Sequence, residues 1–543
     1  MSAISHWPHH FYLIASGDTS RCHKPDRERM GSKAFNLLRM AEIGLPVPPA
    51  LVIGTHFTQS PEECLHALFK VGLVALQEVA GQIFGDARNP LIVSVRSGAP
   101  VSMPGMMETL LNIGLCDRTL PGLLRQSGNP RLVWDAYRRL VATYGEVVEG
   151  LPAAVFENEL ESATRGRDER ELDFSELRAL TRRFLAIYQE NARKPFPQDV
   201  NEQLSGAICA VFASWESEKA VTYRKLNGID AAMGTAVTIQ RMVFGNSGGQ
   251  SGAGVGFTRD PTNGERRLWV DFLSNAQGED VVSGRRNAYG NQALADNLPE
   301  AWSRLEAAAK ALEGEFADMQ DFEFTVQDGT LYMLQTRSGK RTPLACARIA
   351  LDLLDEGVID TAAAFERTAG LQEADIGTVQ LAPQGSRDAQ PSVLAKAMPA
   401  CSGVVCGEIA LDEQRALQRS QAGVPIILVR QDAETSDIEA MQAAVGLLTQ
   451  RGARTSHAAV VARQLGKVCL VGCGDLGIDM TARTVSFGAI ILNEGDVITL
   501  DANEQSIYAG EIAAAMVPDC VLLERLRALR GSQSGAHHPK HRK

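Results

Sequence analysis

The sequence lacks a long apolar run and has few cysteines. No stretch of its 543 residues approaches the ~18 uninterrupted apolar residues of a transmembrane helix, and the N-terminal region lacks the apolar core of a secretory signal. We therefore expect a cytoplasmic protein with no membrane partner. The closest cysteine pairs, Cys401/Cys406 and Cys469/Cys473, lack the two-residue spacing of a zinc ribbon. We interpret them as buried thiols, with metal ligation as the alternative.

An excess of basic charge is also missing. Lys and Arg total 54 against 65 Asp and Glu, which gives a net charge of −11. This diffuse acidic balance argues against a nucleic-acid partner, because nucleic-acid phosphates require a basic surface. The apolar fraction of 45% and the charged fraction of 22% are those of a globular protein, and they exclude a disordered or collagen-like chain.

Composition along the chain predicts two folded regions. A Pro/Gly/polar run at 382–391 is typical of a linker, and we predict that 341–394 is a helical linker as a whole. Residues 395–515 alternate short apolar strands with short helices, as a compact α/β domain does. From 516 to 543 we expect a disordered basic tail.

Upstream of the linker the pattern is mixed α and β. The apolar spacing predicts helices over 30–43, 129–149 and 201–224, strands over 91–95 and 236–240, and a hairpin formed by 321–326 and 331–335.

One histidine stands apart from the others. His457 is the only histidine between His66 and His537, and it follows a buried strand, a polar loop and a Thr-Ser cap. This pattern places its imidazole in the first turn of a helix, where free N–H groups and the helix dipole would stabilise a phosphate carried on the ring. A plain capping or solvent-exposed histidine is the alternative.

A glycine-rich run at 245–256 is open to two interpretations. Glycines between strands let backbone amides approach phosphates, but they also form flexible turns. Two other motif matches are disfavoured. The nucleophile-elbow match at 245–249 has only His457 and the tail histidines downstream of it, and the dinucleotide-fingerprint match at 472–477 leads into a strand instead of a helix.

Cations beside glycines and oxygen-bearing side chains on the hairpin suit phosphoryl transfer. Lys33 follows Gly31-Ser32, and Arg96 precedes Ser97-Gly98, so that both long side chains could reach phosphoryl oxygens. Asp321 and Glu323 share one face of a strand, and Gln335 lies on the paired strand. Such oxygens are suitable Mg²⁺ ligands beside nucleotide phosphates.

Together these residues resemble the pyruvate, phosphate dikinase family, and less closely phosphoenolpyruvate synthase, over roughly 30–512. The segments that carry the resemblance are 44–49, 94–98, 101–107, 257–261, 275–282, 319–324, 334–341 and 455–463. The wording Met-Pro-Gly-Met-Met at 103–107 and Gly-Lys-Arg at 339–341 favours the dikinase.

The resemblance implies a fold of class α/β and α+β. It implies a multi-lobed ATP-grasp domain over 1–340, with a helical insertion at about 120–230, followed by a swivelling α/β phosphohistidine domain over 395–515. In the family, ATP pyrophosphorylates the histidine and releases AMP, inorganic phosphate removes the outer phosphoryl group as pyrophosphate, and the phosphohistidine delivers the group that remains.

Matched position by position, the resemblance implies a role for each candidate residue. His457 would carry the phosphoryl group, and Arg337 and Asp321 would be the other catalytic residues. The nucleotide-binding residues would be Lys33, Arg96, Thr258, Glu279, Asp280 and Gln335. Glu323 and Gln335 would bind Mg²⁺, and Thr455 would be a regulatory phosphorylation site. A phosphate on Thr455 would add negative charge beside His457 and oppose its phosphorylation.

Three positions depart from the family pattern. The paired glycine before the lysine is Gly31-Ser32 here, the usual Gly-Gly-Met before Thr455 is Gly452-Ala-Arg454, and Gln464 replaces a glycine. Arg454 adds a cation near the carrier histidine.

The family's third domain is not recognisable in the sequence. A (β/α)₈ barrel that binds phosphoenolpyruvate and pyruvate needs about 250 residues, and only 511–543 follow the α/β region. We therefore expect an ATP-dependent phosphotransferase whose acceptor is a separate pyruvate-binding protein or another small molecule. A non-catalytic regulator that binds ATP or a partner is the alternative, a fragment of a full dikinase is a third hypothesis, and homo-oligomer formation stays open.

Overall fold

A computed structural model describes residues 7–17, 24–101, 103, 106–282, 291–382, 392–432, 437–452, 454 and 457–535. The chain divides into two compact units. The first contains residues 1–251 and 325–336, and the second contains 252–324 and 337–543. The predicted ATP-grasp region 1–340 is therefore shared between the units, and the predicted domain boundaries stay predictions.

The first unit contains an antiparallel sheet of five strands. The strands of this unit are β1 (Phe11–Ile14), β2 (Ala50–Ile53), β3 (Ile83–Phe84), β4 (Pro90–Leu91), β5 (Val93–Gly98), β6 (Thr109–Ile113) and β7 (Ala236–Arg241). β3 and β4 form a separate two-stranded ribbon. The sheet has the order β1-β2-β7-β5-β6, and β5 pairs antiparallel with β7 so that Arg96 is opposite Thr238. β5 is therefore an interior strand, which lies between β7 and the edge strand β6.

Helices cover this sheet and build a helical layer. They are α1 (Arg27–Met30), α2 (Ser32–Glu42), α3 (Glu62–Ala67), α4 (Leu73–Ala80), α5 (Leu120–Ser127), α6 (Pro130–Val147), α7 (Ala154–Thr164), α8 (Phe174–Ala192), α9 (Val200–Ala213) and α10 (Glu218–Asn227). The helices predicted over 30–43 and 129–149 are confirmed as α2 and α6. Asn129 caps α6 by accepting a hydrogen bond from the Leu132 amide, and Pro130 starts the helix.

The strands of the second unit form several sheets. They are β8 (Gly252–Phe257), β9 (Trp269–Ser274), β10 (Gln320–Gln327), β11 (Thr330–Ser338), β12 (Gly377–Leu381), β13 (Val393–Lys396), β14 (Met398–Cys401), β15 (Val404–Ala410), β16 (Ile426–Arg430), β17 (Gly446–Thr449), β18 (Val468–Val471), β19 (Leu476–Asp479), β20 (Thr484–Phe487), β21 (Ile490–Asn493), β22 (Val497–Asp501), β23 (Ser506–Ala509) and β24 (Ala514–Pro518). β10 and β11 are the predicted hairpin, and residues 325–336 at its tip belong to the first unit.

The helices of the second unit connect these strands. They are α11 (Gly278–Val282), α12 (Asn291–Asn297), α13 (Pro299–Phe316), α14 (Pro343–Asp355), α15 (Thr361–Thr368), α16 (Glu413–Gln421), α17 (Ile438–Ala443), α18 (His457–Gln464) and α19 (Cys520–Gly535). The sheet with the order β13-β23-β22-β15-β16-β17-β18-β14 has a parallel section from β15 to β18. This is the compact α/β region predicted at 395–515, and α18 follows the carboxyl end of β17, where parallel sheets place their ligands.

The glycine-rich run is explained by packing within a sheet. Gly252, Gly254 and Gly256 lie on β8, which has β9 and β10 as neighbours in the order β11-β10-β8-β9. A Cβ at Gly254 would lie 2.4 Å from the ring of Phe324, and one at Gly252 would lie 2.1 Å from the ring of Phe272. Because β8 has no side chains there, the two rings stack with centroids 6.1 Å apart and planes 9° from parallel. For this part of the run, neither a flexible turn nor a phosphate loop is needed.

The cysteines of the α/β region are mostly buried. Cys401, Cys469 and Cys473 are buried, whereas Cys406 is half-buried. Burial raises the pKa of the Cys401 and Cys473 thiols to about 11, so that both are protonated at neutral pH.

The prediction of a disordered tail from residue 516 is wrong for residues up to 535. β24 pairs with β12, and α19 packs against α14 and α15. Leu522, Leu526 and Leu529 are buried on one face of α19, at the spacing of a helix that covers a core. This leucine spacing was the signal for a helix. Residues 536–543 lie outside the described part of the chain.

We expect Leu526→Ala to lower the free energy of unfolding of the second unit by about 2–5 kcal/mol, because Leu526 is fully buried between α19 and its neighbours. The measurement is urea denaturation followed by circular dichroism. Val521→Ala on the same helix is the control, since that side chain is 71% exposed and its loss should change stability by less than about 0.5 kcal/mol. Equal effects of the two substitutions would show that α19 does not pack as described.

Candidate phosphate-binding and phosphoryl-transfer sites

A contact between two glycines joins the start of α2 to the end of β5. Gly31 has φ 76° and ψ 153°, a conformation that favours glycine, and a Cβ at this position would lie 1.8 Å from the carbonyl oxygen of Gly98. The Ser32 amide donates to the Ala99 carbonyl oxygen at 3.1 Å, and the Ser32 hydroxyl donates to the carbonyl oxygen of Pro100. The glycines beside the two predicted cations therefore bring the helix and the strand into backbone contact.

This contact places both cations in one pocket of the first unit. The pocket is lined by Lys33, Ala34, Leu37, Arg96, Ser97, Thr238, Gln240, Leu334 and Gln335. Nη2 of Arg96 donates a hydrogen bond to Oε1 of Gln335 at 3.3 Å. Lys33, Arg96 and Gln335 were each predicted as nucleotide-binding residues, and the fold brings them together.

Two polar residues of this pocket were missed from the sequence. Thr238 and Gln240 are two positions apart on β7 and lie on the same face of the strand, which is the face that lines the pocket. Gln240 donates from Nε2 to the Pro48 carbonyl oxygen at 3.1 Å, whereas the buried hydroxyl oxygen of Thr238 has no hydrogen-bond partner among the described residues. The signal was the alternation of polar residues within an otherwise apolar strand.

A second cluster lies in the second unit, on the hairpin. Nε of Arg337 on β11 donates to Oδ2 of Asp321 on β10 at 2.8 Å. Glu323 is on the same face of β10 as Asp321, since the two residues are two positions apart. The predicted catalytic pair Asp321 and Arg337 is thus an ion pair, with a second carboxylate next to it along the strand.

Burial and charge act in opposite directions on this pair. Burial raises the pKa of Asp321 above its usual range, although the guanidinium groups of Arg337 and Arg463 act to lower it. Burial acts to lower the pKa of Arg337, but the carboxylates of Asp321 and Glu323 outweigh it, and the pKa is raised. Arg463 lies on α18, so the helix that begins at His457 is close enough to the cluster to influence Asp321.

The hairpin carboxylates fit a magnesium ion in the type of their oxygen donors. Glu323 is half-buried and belongs to the second unit, whereas Gln335, its predicted fellow ligand, belongs to the first. Within the ranges that the structure describes, no group of three or more His, Cys, Asp or Glu is placed to hold a metal ion by itself. A divalent ion at Glu323 would therefore need further oxygens from a bound ligand.

Other predicted nucleotide ligands have structural contacts. The buried Thr258 hydroxyl donates to Oε1 of Glu313 at 2.8 Å and accepts from the Gln320 amide at 3.0 Å. These bonds join β8 to α13 and β10, and they explain Thr258 without a nucleotide. Oδ2 of Asp280 accepts from the Gln277 amide at 3.0 Å, near the start of α11. The side chain of Glu279 lies outside the described residues.

The predicted carrier histidine begins a helix, as expected from its capping pattern. α18 starts at His457, although the His457 side chain and the whole of Thr455 lie outside the described residues. Arg463, at the other end of α18, donates from Nη2 to the carbonyl oxygens of Ala400 at 3.0 Å and Arg454 at 3.1 Å. These bonds fix the helix to the edge of its sheet and to the loop that precedes it.

No helix within the described part of the chain is both long and apolar enough to span a bilayer.

Two family models match the chain. The model described as "Pyruvate phosphate dikinase, AMP/ATP-binding domain" matches residues 73–289, and the one described as "PEP-utilising enzyme, mobile domain" matches residues 423–505. The second match contains β17, α18 and the parallel section from β16 to β18. The two matched ranges therefore agree with the order of domains that the sequence predicts.

Several curated proteins are similar to the chain over most of its length. Pyruvate, phosphate dikinase of Rhizobium meliloti is 42% identical over 511 residues, which are 90% of this chain and 56% of that protein. The protein of the same name from Clostridium symbiosum is 40% identical over 498 residues, with 90% and 57% covered, and pyruvate, phosphate dikinase 2 of Zea mays is 40% identical over 506 residues, with 91% and 56% covered. The chain thus spans a little over half the length of these relatives.

We expect Gly31→Ala to destabilise the first unit strongly, because a Cβ there meets backbone that cannot move aside without shifting β5. The loss in the free energy of unfolding should exceed about 3 kcal/mol. Gly81→Ala is the control, since Gly81 also has a positive φ of 65° but no atom within 4 Å of the added Cβ, and it should cost only about 1–2 kcal/mol. Denaturant unfolding measures both, and equal losses would refute the close contact of Gly31 with Gly98.

Proposed function

Because the chain belongs to the pyruvate, phosphate dikinase family, we propose that it is an ATP-dependent phosphotransferase that charges its own His457. The observation that carries the proposal is the pocket that holds Lys33 and Arg96 together beside Gln335. Phosphoryl transfer requires positioning and neutralisation of phosphate charge, and two cations at a helix start and a strand end supply both.

The proposed reaction has two steps. An imidazole nitrogen of His457 attacks the β-phosphorus of ATP, an N–P bond forms, the bond from the β-phosphorus to the bridging α–β oxygen breaks, and AMP leaves. Inorganic phosphate then takes the outer phosphoryl group as pyrophosphate, and His457 keeps the inner one. The final acceptor, which could be pyruvate on a separate subunit or another small molecule, is left unassigned, because the regions matched to the family's ATP-binding and mobile domains support only the charging steps.

The residues of the chain have distinct tasks in this proposal. Lys33 and Arg96 bind nucleotide phosphates in the pocket of the first unit, and Gln335 orients Arg96 through its amide oxygen. Arg337, held by Asp321, stabilises negative charge on the phosphoryl group in transfer. Mg²⁺, which Glu323 would bind, neutralises charge on the phosphate oxygens when present.

Thr455 completes the proposal as a regulatory position. It is two residues before His457 in the sequence. Phosphorylation there would place negative charge beside the imidazole and slow the attack on ATP.

The test of histidine charging uses ATP labelled at the β-phosphate. We expect the wild-type chain to acquire an acid-labile label and to release AMP, whereas His457→Ala should acquire none. His66→Ala is the control. It removes a histidine of α3 that is distant from His457 in the sequence, and this variant should be charged normally. Equal labelling of His457→Ala and wild type would refute the carrier role. ATP binding without AMP release would refute the proposed activity and favour a non-catalytic ATP-binding protein.

If Glu323 binds Mg²⁺, the charging rate should depend on Mg²⁺, and this dependence should change when the Glu323 carboxylate is replaced. Chelation by EDTA should abolish charging, and Glu323→Gln should raise the Mg²⁺ concentration for half-maximal charging about tenfold, because ligand charge sets affinity for hard cations. The control is Glu306→Gln, an exposed position on α13. Titration of the charging rate with MgCl₂ measures the effect. An unchanged Mg²⁺ requirement in Glu323→Gln would remove Glu323 from the metal site.

A further inference from the structure

Arg454, which lies three residues before His457, contacts strand β9 through its side chain. Arg454 donates from Nε to Oδ1 of Asp271 at 2.9 Å, and its Nη2 lies 2.7 Å from the same oxygen. Nη2 also donates to the Val270 carbonyl oxygen at 2.9 Å. The guanidinium carbon lies 4.1 Å from the ring centroid of Trp269. Three consecutive residues of β9 thus hold a single arginine, and both partners belong to the second unit.

Because this contact is buried, it requires an arginine at position 454. The Asp271 side chain is fully buried, and that of Arg454 is 17% exposed. A planar guanidinium satisfies a buried carboxylate and a carbonyl oxygen at once and also stacks on an aromatic face. Neither a methionine nor a lysine can make all three contacts, so the identity of residue 454 determines whether they form.

The same tryptophan also meets the far end of the histidine helix. The guanidinium carbon of Arg463 lies 5.5 Å from the Trp269 ring centroid and 5.0 Å from that of Phe257. Arg463 also donates to the Arg454 carbonyl oxygen. Arg454 precedes His457 by three residues and Arg463 follows it by six. The segment that carries the histidine is therefore held on β9 from both sides.

We propose that Arg454 is a positioning residue. Its contacts with Asp271 and Trp269 hold the loop before His457 on β9, so that His457 is fixed during charging. The inference rests on the proposed function of His457 as the phosphoryl carrier. From the sequence, Arg454 was expected only as an additional cation near the carrier. Its charge is directed inward to Asp271, so that it acts on the loop rather than on a docking partner.

The experiment compares Arg454→Met, Arg454→Lys and Asp271→Asn with wild type. A matched control is Arg419→Met, which removes another arginine of the same α/β region from an ion pair, with Glu408 at 2.7 Å. For each chain we measure the rate of charging from β-labelled ATP as a function of ATP concentration. Backbone hydrogen exchange of peptides covering 269–274 and 457–464 is measured on the same samples.

We expect Arg454→Met to lower the maximal charging rate about tenfold without changing the KM for ATP, because the histidine is misplaced while the pocket of Lys33 and Arg96 is intact. Hydrogen exchange should accelerate in both peptides together. Arg454→Lys should lie between wild type and Arg454→Met, and the double variant with Asp271→Asn should be no slower than Arg454→Met alone. Arg419→Met should match wild type in both measurements.

If hydrogen exchange in the two peptides is unchanged in Arg454→Met, Arg454 does not hold the loop on β9, and the proposal is overturned whatever the charging rate. Accelerated exchange with an unchanged charging rate would overturn the positioning role. A loss shared with Arg419→Met would also overturn it, because the effect would then be general destabilisation. If the wild-type chain acquires no label, the proposed function fails, and hydrogen exchange still decides whether Arg454 holds the loop. If Arg454→Met does not fold, the charging rate and the hydrogen exchange of Arg454→Lys are compared with those of wild type instead.

Discussion

No side chain fits between Gly31 and the carbonyl of Gly98, and this restriction sets the position of the pocket that contains Lys33 and Arg96. The helix α2 has to start where the strand β5 ends, so Lys33 in the first turn and Arg96 near the strand end share one surface. A side chain at Gly31 would push the two elements apart, because its Cβ would lie 1.8 Å from the carbonyl oxygen of Gly98. The backbone contact, and not an interaction between the cations, therefore places Lys33 and Arg96 in the same pocket.

Arg96 in the first unit and Arg337 in the second differ in the side chains that orient them. Arg96 donates to the amide oxygen of Gln335, a neutral group that orients a guanidinium without cancelling its charge. Arg337 donates to the carboxylate of Asp321, which orients it and also compensates its charge. In the proposed reaction, the first arrangement would bind phosphate oxygens, whereas the second would stabilise charge that develops during transfer.

Much of this organisation could be predicted from the sequence, because it depends on local signals. The cations beside glycines, the hairpin with alternating carboxylates and the start of a helix at His457 are each signalled by a few neighbouring residues of the chain. What could not be predicted depends on packing between distant segments. Gly254 is in a strand because the rings of Phe272 and Phe324 meet over it, and Arg454 turns inward because Asp271 lies 183 positions earlier in the chain but close in space. The buried leucines of α19 are also a local signal, because their spacing in the sequence is that of a helix with one apolar face.

The glycines of β8 and the carboxylates of β10 are linked by the period of the β-strand. On β10, Phe322 and Phe324 are buried while Asp321 and Glu323 are only half-buried, so aromatic and acidic side chains alternate between the two faces. The aromatic face can lie flat on β8 only because glycines occupy the opposing positions, where a Cβ would collide with the rings. A one-residue shift of β10 would turn the carboxylates into the sheet contact and the rings outward. The packing of phenylalanine on glycine therefore fixes the register that places Asp321 and Glu323 together on the opposite face of β10, where the proposed function needs them.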